Sequence, residues 1–385
     1  MLNQLKVFDE KLKNYKIYQT MTQIPRRIRW TLTRLRKYGM GYPFRLIQAK
    51  VRMLKRSELP LVSVVMPVYN VEDFLEQSLD SLLQQKVKNI EIVAVDDGST
   101  DTSLEILQKY AVKDSRVKVF SQKNQYAGNA RNLGLSKASG EYVLFLDSDD
   151  FFEKELILDT YSVAKANAAD IVLFDAGNYD NETGEYKGAG SFLEEHLSPS
   201  KQPFSYKECT GYLFQMTTAC PWTKLYKRAF LIESGIRFQG LKNTNDLFFV
   251  YSTLAVAKRI LTYKKPLVNY RIGMSKNLQA TKKKDPFCFY EALLEWNEKL
   301  KELGLFEKLK QSYVNAALDV CVYNLWSIQD EETKWEVFQK IRNEILDKLE
   351  ITGYPEMYYY NREDYNDMLL IKNGDFERYL NEQSR

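Results

Sequence analysis

The sequence predicts an α/β fold: a mostly parallel sheet, preceded by a basic helical arm over residues 1–57 and followed by a helical region over 286–385. Three observations carry this. From Pro60 onward, short apolar runs rich in β-branched residues alternate with amphipathic stretches, as expected of strands buried on both faces with helices between them. Residues 1–57 hold 15 Lys and Arg against 2 Asp and Glu, whereas the rest of the chain holds 40 against 49, which sets a basic arm on an acidic body. After Pro286 the apolar residues keep a helical period almost to the end.

In the arm, Ile28, Leu32 and Leu35 recur at helical spacing, and Gly39, Gly41 and Pro43 divide the pattern into two short helices. Cations interleaved with Trp30, Phe44 and Ile47 suit an anionic membrane surface, where each Lys or Arg contributes ~1 kcal/mol. A helical hairpin docked on the body is the competing reading. A nucleic-acid arm is disfavoured because no recognition motif accompanies the charge.

Strands are expected at 62–66, 90–95, 116–120, 142–146 and 171–174, each a nearly continuous apolar run. Between them, Leu75, Leu79, Leu82 and Leu83 form one helical stripe, Thr102-Ser103-Leu104-Glu105 reads as a capping box, and 153–168 forms a further helix. In the C-terminal region the periodic sets are Ala292, Leu293, Trp296, Leu300 and Leu303; Leu318, Val322 and Leu325; and Trp335, Phe338, Ile341, Ile345 and Leu349. These helices pack a core and offer a surface for self-association.

A 385-residue chain with 44% hydrophobic and 28% charged residues is a folded protein rather than a disordered one. No apolar run approaches the about 18 residues that cross a bilayer, and the N-terminus lacks a signal-peptide core. A cytoplasmic protein, peripheral at the inner face of the cell membrane, is the expectation. Cys209, Cys220, Cys288 and Cys321 form no CxxC pair, and His196 is the one histidine, placed in a polar loop. A Ser-His-Asp triad or a Cys-His pair would need that loop residue, and a two-histidine metal site would need more than it. Chemistry must rest on carboxylates.

Those carboxylates collect where predicted strands end. The strand at 90–95 runs into Asp96-Asp97-Gly98-Ser99-Thr100-Asp101, and the strand at 142–146 into Asp147-Ser148-Asp149-Asp150. A parallel sheet places its ligand beyond these ends. Crowded like charges call for a cation, and oxygen-only donors suit Mg²⁺ or Mn²⁺ bridging nucleotide phosphates. Some of these aspartates also serve as turn and cap residues.

Pro67-Val68-Tyr69-Asn70, Val95-Asp96-Asp97-Gly98-Ser99-Thr100-Asp101, Ala130-Arg131-Asn132-x-Gly134 and Asp147-Ser148-Asp149-Asp150, in this order, resemble the nucleotide-sugar-binding half of family 2 glycosyltransferases, which have the GT-A fold. Pro221-Trp222-Thr223-Lys224-Leu225-Tyr226-Lys227-Arg228, Asn245-Asp246 and Tyr270-Arg271 with Ser275 are similar to its acceptor half. The resemblance spans about 60–280 and divides a domain over 58–285 into a donor half (58–175) and an acceptor half (176–285).

The resemblance implies a UDP-sugar donor and a divalent cation. It places Tyr69 over the nucleobase and Asp97 on the uracil, with Asp149 as the main metal ligand and Asp147 as ribose or second metal contact. Gly128 would let backbone approach the donor. Arg131 would bridge the aspartates or the diphosphate, or else pair with Asp96. Asp246 matches the general base, although the family's Glu-Asp reads Asn245-Asp246 here; Asn245 would then be an N-cap with Asp246 in the first helical turn. Trp222, Lys224, Asn245 and Arg271 fall on the acceptor side. Arg271 or Lys276, from a closing loop over 269–278, would assist the leaving group, and Trp222 either faces an acceptor sugar or packs in the core.

The expected reaction is an inverting transfer to a hydroxyl of a glycan acceptor, lipid-linked or otherwise, in assembly of a bacterial surface polysaccharide or wall glycan. A transferase extending the glycan of a cytosolic glycoprotein and an inactive sugar-binding or scaffold subunit are the alternatives. A nucleotidyltransferase lacks its Gly-rich basic loop after the first strand, and a processive synthase would bring a membrane-spanning pore.

Overall fold

The computed structural model describes residues 59–190, 192–273 and 285–383. The predicted arm over 1–57, Ser275 and Lys276 lie outside the described residues. The chain alternates β1 (Val62–Val68), α1 (Glu72–Leu83), β2 (Ile90–Asp96), α2 (Ser103–Lys113), β3 (Val117–Ser121), α3 (Tyr126–Lys137) and β4 (Tyr142–Phe145). Every residue of β1, β2 and β4 is buried, which explains their continuous apolar sequence. Strands β3, β2, β1 and β4 lie side by side, all parallel. Chain order therefore reverses between β1 and β4, and the crevice at such a switch point is where an α/β sheet receives its ligand.

Beyond β4 the sheet becomes mixed. β5 (Phe151–Phe152), α4 (Leu156–Asn167), β6 (Ile171–Asp180) and β7 (Glu185–Ala189) precede β8 (Lys224–Lys227), α5 (Arg228–Ser234), α6 (Leu247–Val256) and β9 (Ile260–Ile272). β8 inserts antiparallel between β4 and β6, β9 runs parallel to β6, and β5 closes that edge antiparallel to β9. A mostly parallel sheet is the observed architecture, with β8 as the insertion that the apolar pattern did not announce. The expected loop over 269–278 begins inside β9.

The C-terminal region is helical, as its periodicity requires: α7 (Cys288–Glu302), α8 (Phe306–Ser327), α9 (Glu331–Lys340) continuing through a π-helical Ile341–Ile345, then α10 (Arg362–Asn373) and α11 (Phe376–Gln383). Their core is continuous with that of the sheet. Trp296 on α7 meets Phe214 at 4.7 Å, Tyr251 of α6 at 4.8 Å and Tyr313 of α8 at 4.8 Å between ring centroids. Among the described residues no helix is long and apolar enough to cross a membrane. The capping box at Thr102 does not form: Thr102 Oγ1 instead donates to Glu72 at the start of α1. That bond ties two loops at the ligand edge of the sheet.

Glu91 is one of the charged residues inside the buried sheet. Glu91 of β2 is 2% exposed; its carboxylate accepts from Ser63 Oγ, from Ser139 N and Oγ at 2.6 and 2.8 Å, and from Lys118 Nζ. Burial alone would raise its pKa, but Lys118 and the three serine donors outweigh burial and lower it from 4.5 to about 2. Ionised Glu91 therefore stabilises the fold fully above pH 4.5, and the contribution is lost as pH falls towards 2. With discount for the half-exposed Lys118, Glu91→Gln is expected to cost about 2 kcal/mol at pH 7. Urea melts at pH 7 and pH 3 should show the wild-type advantage shrinking in acid.

Candidate active site

The C-terminal ends of β1, β2 and β4 carry the residues expected on the donor side. Tyr69 follows β1 with 49% of its surface exposed, and Asn70 turns the chain with φ 50°, a conformation asparagine tolerates. The Asn70 side chain accepts from Thr100 N at 2.7 Å, and its own N–H meets Ser99 Oγ at 3.2 Å. Pro67 and Val68 pair with Val95 and Asp96 in the sheet, and Val68 O accepts from Asp97 N at 2.8 Å. Asp97 Oδ1 is fixed by Gln122 Nε2 at 2.7 Å and Gln125 N at 2.9 Å. An open aromatic residue thus follows the strand end to which Asp97 is bonded, and the Asp97 carboxylate has its direction set, a combination suited to a planar base with an N–H edge. Asp96 caps its own turn, accepting from Gly98 N, Ser99 N and Ser121 Oγ. The alternative Arg131–Asp96 pair is therefore replaced.

Arg131 pairs with Asp147 instead. Its Nη2 donates to Asp147 Oδ1 at 2.6 Å and its Nη1 to Asn245 Oδ1 at 2.9 Å, with the arginine 5% exposed. Asn245 is consequently a bridge rather than an N-cap; the residue at the N-cap position of α6 is Asp246 itself. A neutral amide here takes the Arg131 hydrogen bond without consuming its charge, which is left to Asp147 and to the field around Asp246.

Two further contacts from α3 hold the same segment. The Asn132 amide exchanges hydrogen bonds with the backbone of Phe238, at 2.8 and 2.9 Å. A Cβ on Gly128 would come within 1.9 Å of Gln239 O, so in this structure the glycine lets the backbone at Gln239 approach α3. Helix α3 thus clamps the stretch that leads to Asp246 against the turn after β4.

That turn is short of countercharge. Asp149 is raised to about 6 by burial and by Asp147, and Asp150, 2% exposed, is pushed well above the usual carboxylate range by burial and Asp149. Asp150 Oδ1 accepts from Arg271 N at 2.9 Å while Oδ2 has no hydrogen-bond partner. Ser148 is buried between these groups. Among the described residues no three carboxylate, histidine or cysteine side chains form a metal cage. Asp147 and Asp149 offer one or two oxygen donors, which fits Mg²⁺ or Mn²⁺ completed by substrate phosphates and water rather than by protein alone. Burial raises the pKa of Asp246 as well, against the pull of Arg131.

Three residues expected on the acceptor side have other duties. Arg271, 5% exposed, donates from Nε to Asp149 O at 2.6 Å, from Nη1 to Asn181 at 2.8 Å and from Nη2 to Gln77. Its guanidinium lies 4.9, 5.0 and 5.5 Å from the rings of Phe74, Phe151 and Tyr179. It supports the backbone of the turn after β4, since every guanidinium nitrogen is engaged. Lys224 is fully buried; its ammonium donates to Thr217 Oγ1, Thr218 O, Cys220 O and Thr223 Oγ1 at 2.8–3.1 Å, and burial lowers its pKa to about 8. It fastens the 217–223 loop and does not reach out to a sugar. Trp222 is 6% exposed, stacked on Tyr270 at 5.2 Å and met by Phe192 at 4.7 Å. Core packing is its role in this structure. His196 is an exposed loop residue 3.4 Å from Glu194.

Residues 63–235 match the family described as Glycosyl transferase family 2. The putative glycosyltransferase EpsH of Bacillus subtilis (strain 168) is 31% identical over 296 residues, 74% of this chain and 82% of that protein. The glycosyltransferase GlyG of Streptococcus pneumoniae serotype 4 is 31% identical over 270 residues, 69% and 84% of the two chains. The crystal structure of S. aureus TarS 1-349 in complex with UDP-GlcNAc aligns with a TM-score of 0.62 at 22% identity, covering 83% of this chain and 89% of that one; this likeness concerns the fold. With the parallel donor sheet, the carboxylate turn and these relatives together, the chain belongs to glycosyltransferase family 2 and is a glycosyltransferase.

Proposed function

We propose that the chain transfers a sugar from a UDP-sugar to a hydroxyl of a glycan acceptor with inversion. One observation carries the reading: Arg131 joins Asp147 of the donor turn to Asn245, the neighbour of Asp246, so the candidate leaving-group and base positions share one edge of the sheet. Tyr69 would cover the uracil and Asp97 would accept its N–H. Asp149, with Asp147, would hold Mg²⁺ or Mn²⁺, which supplies neutralising charge for the diphosphate. Asp246 takes the proton of the acceptor hydroxyl, whose oxygen bonds the anomeric carbon as the diphosphate leaves with its electron pair from the opposite face. The relatives' character as bacterial glycosyltransferases supports a role in surface polysaccharide or wall-glycan assembly. Incubation with a panel of nucleotide sugars and lipid-linked or soluble glycan acceptors, followed by mass analysis, tests this. A product only from UDP-sugars, with inverted anomeric configuration by NMR, is expected; transfer with retention would refute it.

The proposal includes peripheral attachment to the inner leaflet through residues 1–57. Exchange of Arg26, Arg27, Arg29, Arg34 and Arg36 for Gln in the full chain should weaken sedimentation with anionic vesicles at least tenfold, at about 1 kcal/mol per cation. Salt should weaken wild-type binding too. Equal binding of neutral vesicles would remove the membrane from the proposal.

A further inference from the structure

We propose that Gln77 and Asn181, which stand outside the residues assigned to donor, cation and base, set the cation affinity of the candidate site through Arg271, a positioning residue; this rests on the transferase reading above and on its Mg²⁺ or Mn²⁺. Arg271 grips the turn after β4 twice. Its main-chain N–H donates to Asp150 Oδ1 at 2.9 Å, and its Nε donates to Asp149 O at 2.6 Å. The peptide unit between Asp149 and Asp150 is thereby held at its carbonyl and through the side chain that follows. Rotamers depend on φ and ψ, so a fixed main chain at Asp149 limits where its carboxylate can point. Arg131 of α3 holds the other expected oxygen donor, Asp147, by its carboxylate. Two arginines from different elements thus fix the two ligands separately.

The guanidinium of Arg271 is itself oriented from outside the site. Nη1 donates to Asn181 Oδ1 at 2.8 Å, in the turn after β6, and Nη2 donates to Gln77 Oε1 on α1. Phe74 lies three residues before Gln77 on α1 and shares its face. With Phe151 and Tyr179 it surrounds the guanidinium carbon, at 4.9, 5.0 and 5.5 Å from the ring centroids. Tyr179 pairs with Arg271 across β6 and β9, and it meets Phe151 edge to face at 5.0 Å. Ring faces attract a cation without fixing its rotation. The two amides supply that direction and so decide where Nε aims.

The oxygens that meet the guanidinium are one carbonyl and two amides, all neutral. A carboxylate fork would have neutralised the arginine; neutral acceptors orient it and leave its charge unspent beside the main chain of Asp149. Groups that orient a metal ligand from behind carry roughly 10–100-fold of the metal's affinity. Gln77 and Asn181 are one step further back, and their effect reaches the cation only by way of Arg271.

Titration of Mn²⁺ into the full chain at saturating UDP, read by electron paramagnetic resonance, tests this, beside uridine binding by saturation-transfer NMR in excess chelator. Arg271→Met, which keeps a flexible stem among the three rings and removes the guanidinium donors, should weaken Mn²⁺ binding roughly 10–100-fold. Gln77→Ala and Asn181→Ala should each weaken it severalfold, with no further loss when combined with Arg271→Met. Arg271→Lys restores the charge without the fork and should stay as weak as Arg271→Met. Uridine should bind every variant as it binds wild type. If Arg271→Met fails to fold, the two amide variants decide the matter alone. Wild-type Mn²⁺ affinity in both amide variants, additive losses in the combined variants, or full recovery with lysine would overturn the proposal, as would loss of uridine in step with Mn²⁺. A wild-type chain that binds no Mn²⁺ in the presence of UDP would overturn the cation of the transferase reading instead.

Discussion

Asp149→Ala is expected to lower transfer by three orders of magnitude or more, and to abolish Mn²⁺ binding read by electron paramagnetic resonance in the presence of UDP. The reason is the charge balance of the turn after β4. Asp147, Asp149 and Asp150 oppose one another, and burial lifts Asp149 to about 6, yet Arg131 reaches only Asp147 by hydrogen bond and Arg271 gives Asp149 only a contact to its main-chain oxygen. A carboxylate held in that condition is poised for a cation, and a cation there is worth several kcal/mol when charge develops on a leaving diphosphate. Removing one of three like charges also relieves repulsion, so the variant should melt no lower than wild type. Full wild-type activity in excess chelator would dispose of the cation and of the role given to Asp149.

The parts legible in the sequence share a physical cause. Strands β1, β2 and β4 are buried on both faces, so their composition alone declares them. Their ends carry Tyr69, Asp97, Asp147 and Asp149 because a parallel sheet aligns its carboxyl ends on one edge. β8 was not legible. It reads Lys-Leu-Tyr-Lys, buries Leu225 and Tyr226 in the sheet, and can bury Lys224 beside them because the ammonium finds four oxygen acceptors inside. No periodicity encodes that compensation.

The direction of long polar side chains was equally hidden. Arg271 stands next to the last residue of β9, yet its cage is built from Phe74 of α1, Phe151 of β5 and Tyr179 of β6. Arg131 chose Asp147 over Asp96 because Asp96 is saturated by its own turn. Gly128 and Asn132 look like donor-loop residues in sequence, and their partners Gln239 and Phe238 become visible only once α3 is docked. Motif positions singled these residues out; tertiary packing decided what each one touches.

Asp246→Asn should reduce turnover by about 2–4 orders of magnitude, the usual contribution of a positioned base, while UDP affinity changes little. Asp246 sits at the N-cap of α6 with no hydrogen bond from its side chain to that helix, which leaves its carboxylate available to a substrate hydroxyl. Two opposing influences set its protonation. Burial raises its pKa, Arg131 and Lys224 lower it, and the net is upward. The helix dipole adds a favourable field for the ionised form. The base is active only when ionised, so at saturating Mn²⁺, which holds Asp149 ionised, the wild-type rate should fall as pH drops through the raised pKa of Asp246, and the residual activity of the asparagine variant should lack that acid limb. Steady-state kinetics between pH 5 and 8, with UDP calorimetry on both proteins, would check this. A variant that loses UDP binding as steeply as turnover, or that keeps the acid limb, would move the proton acceptor away from Asp246.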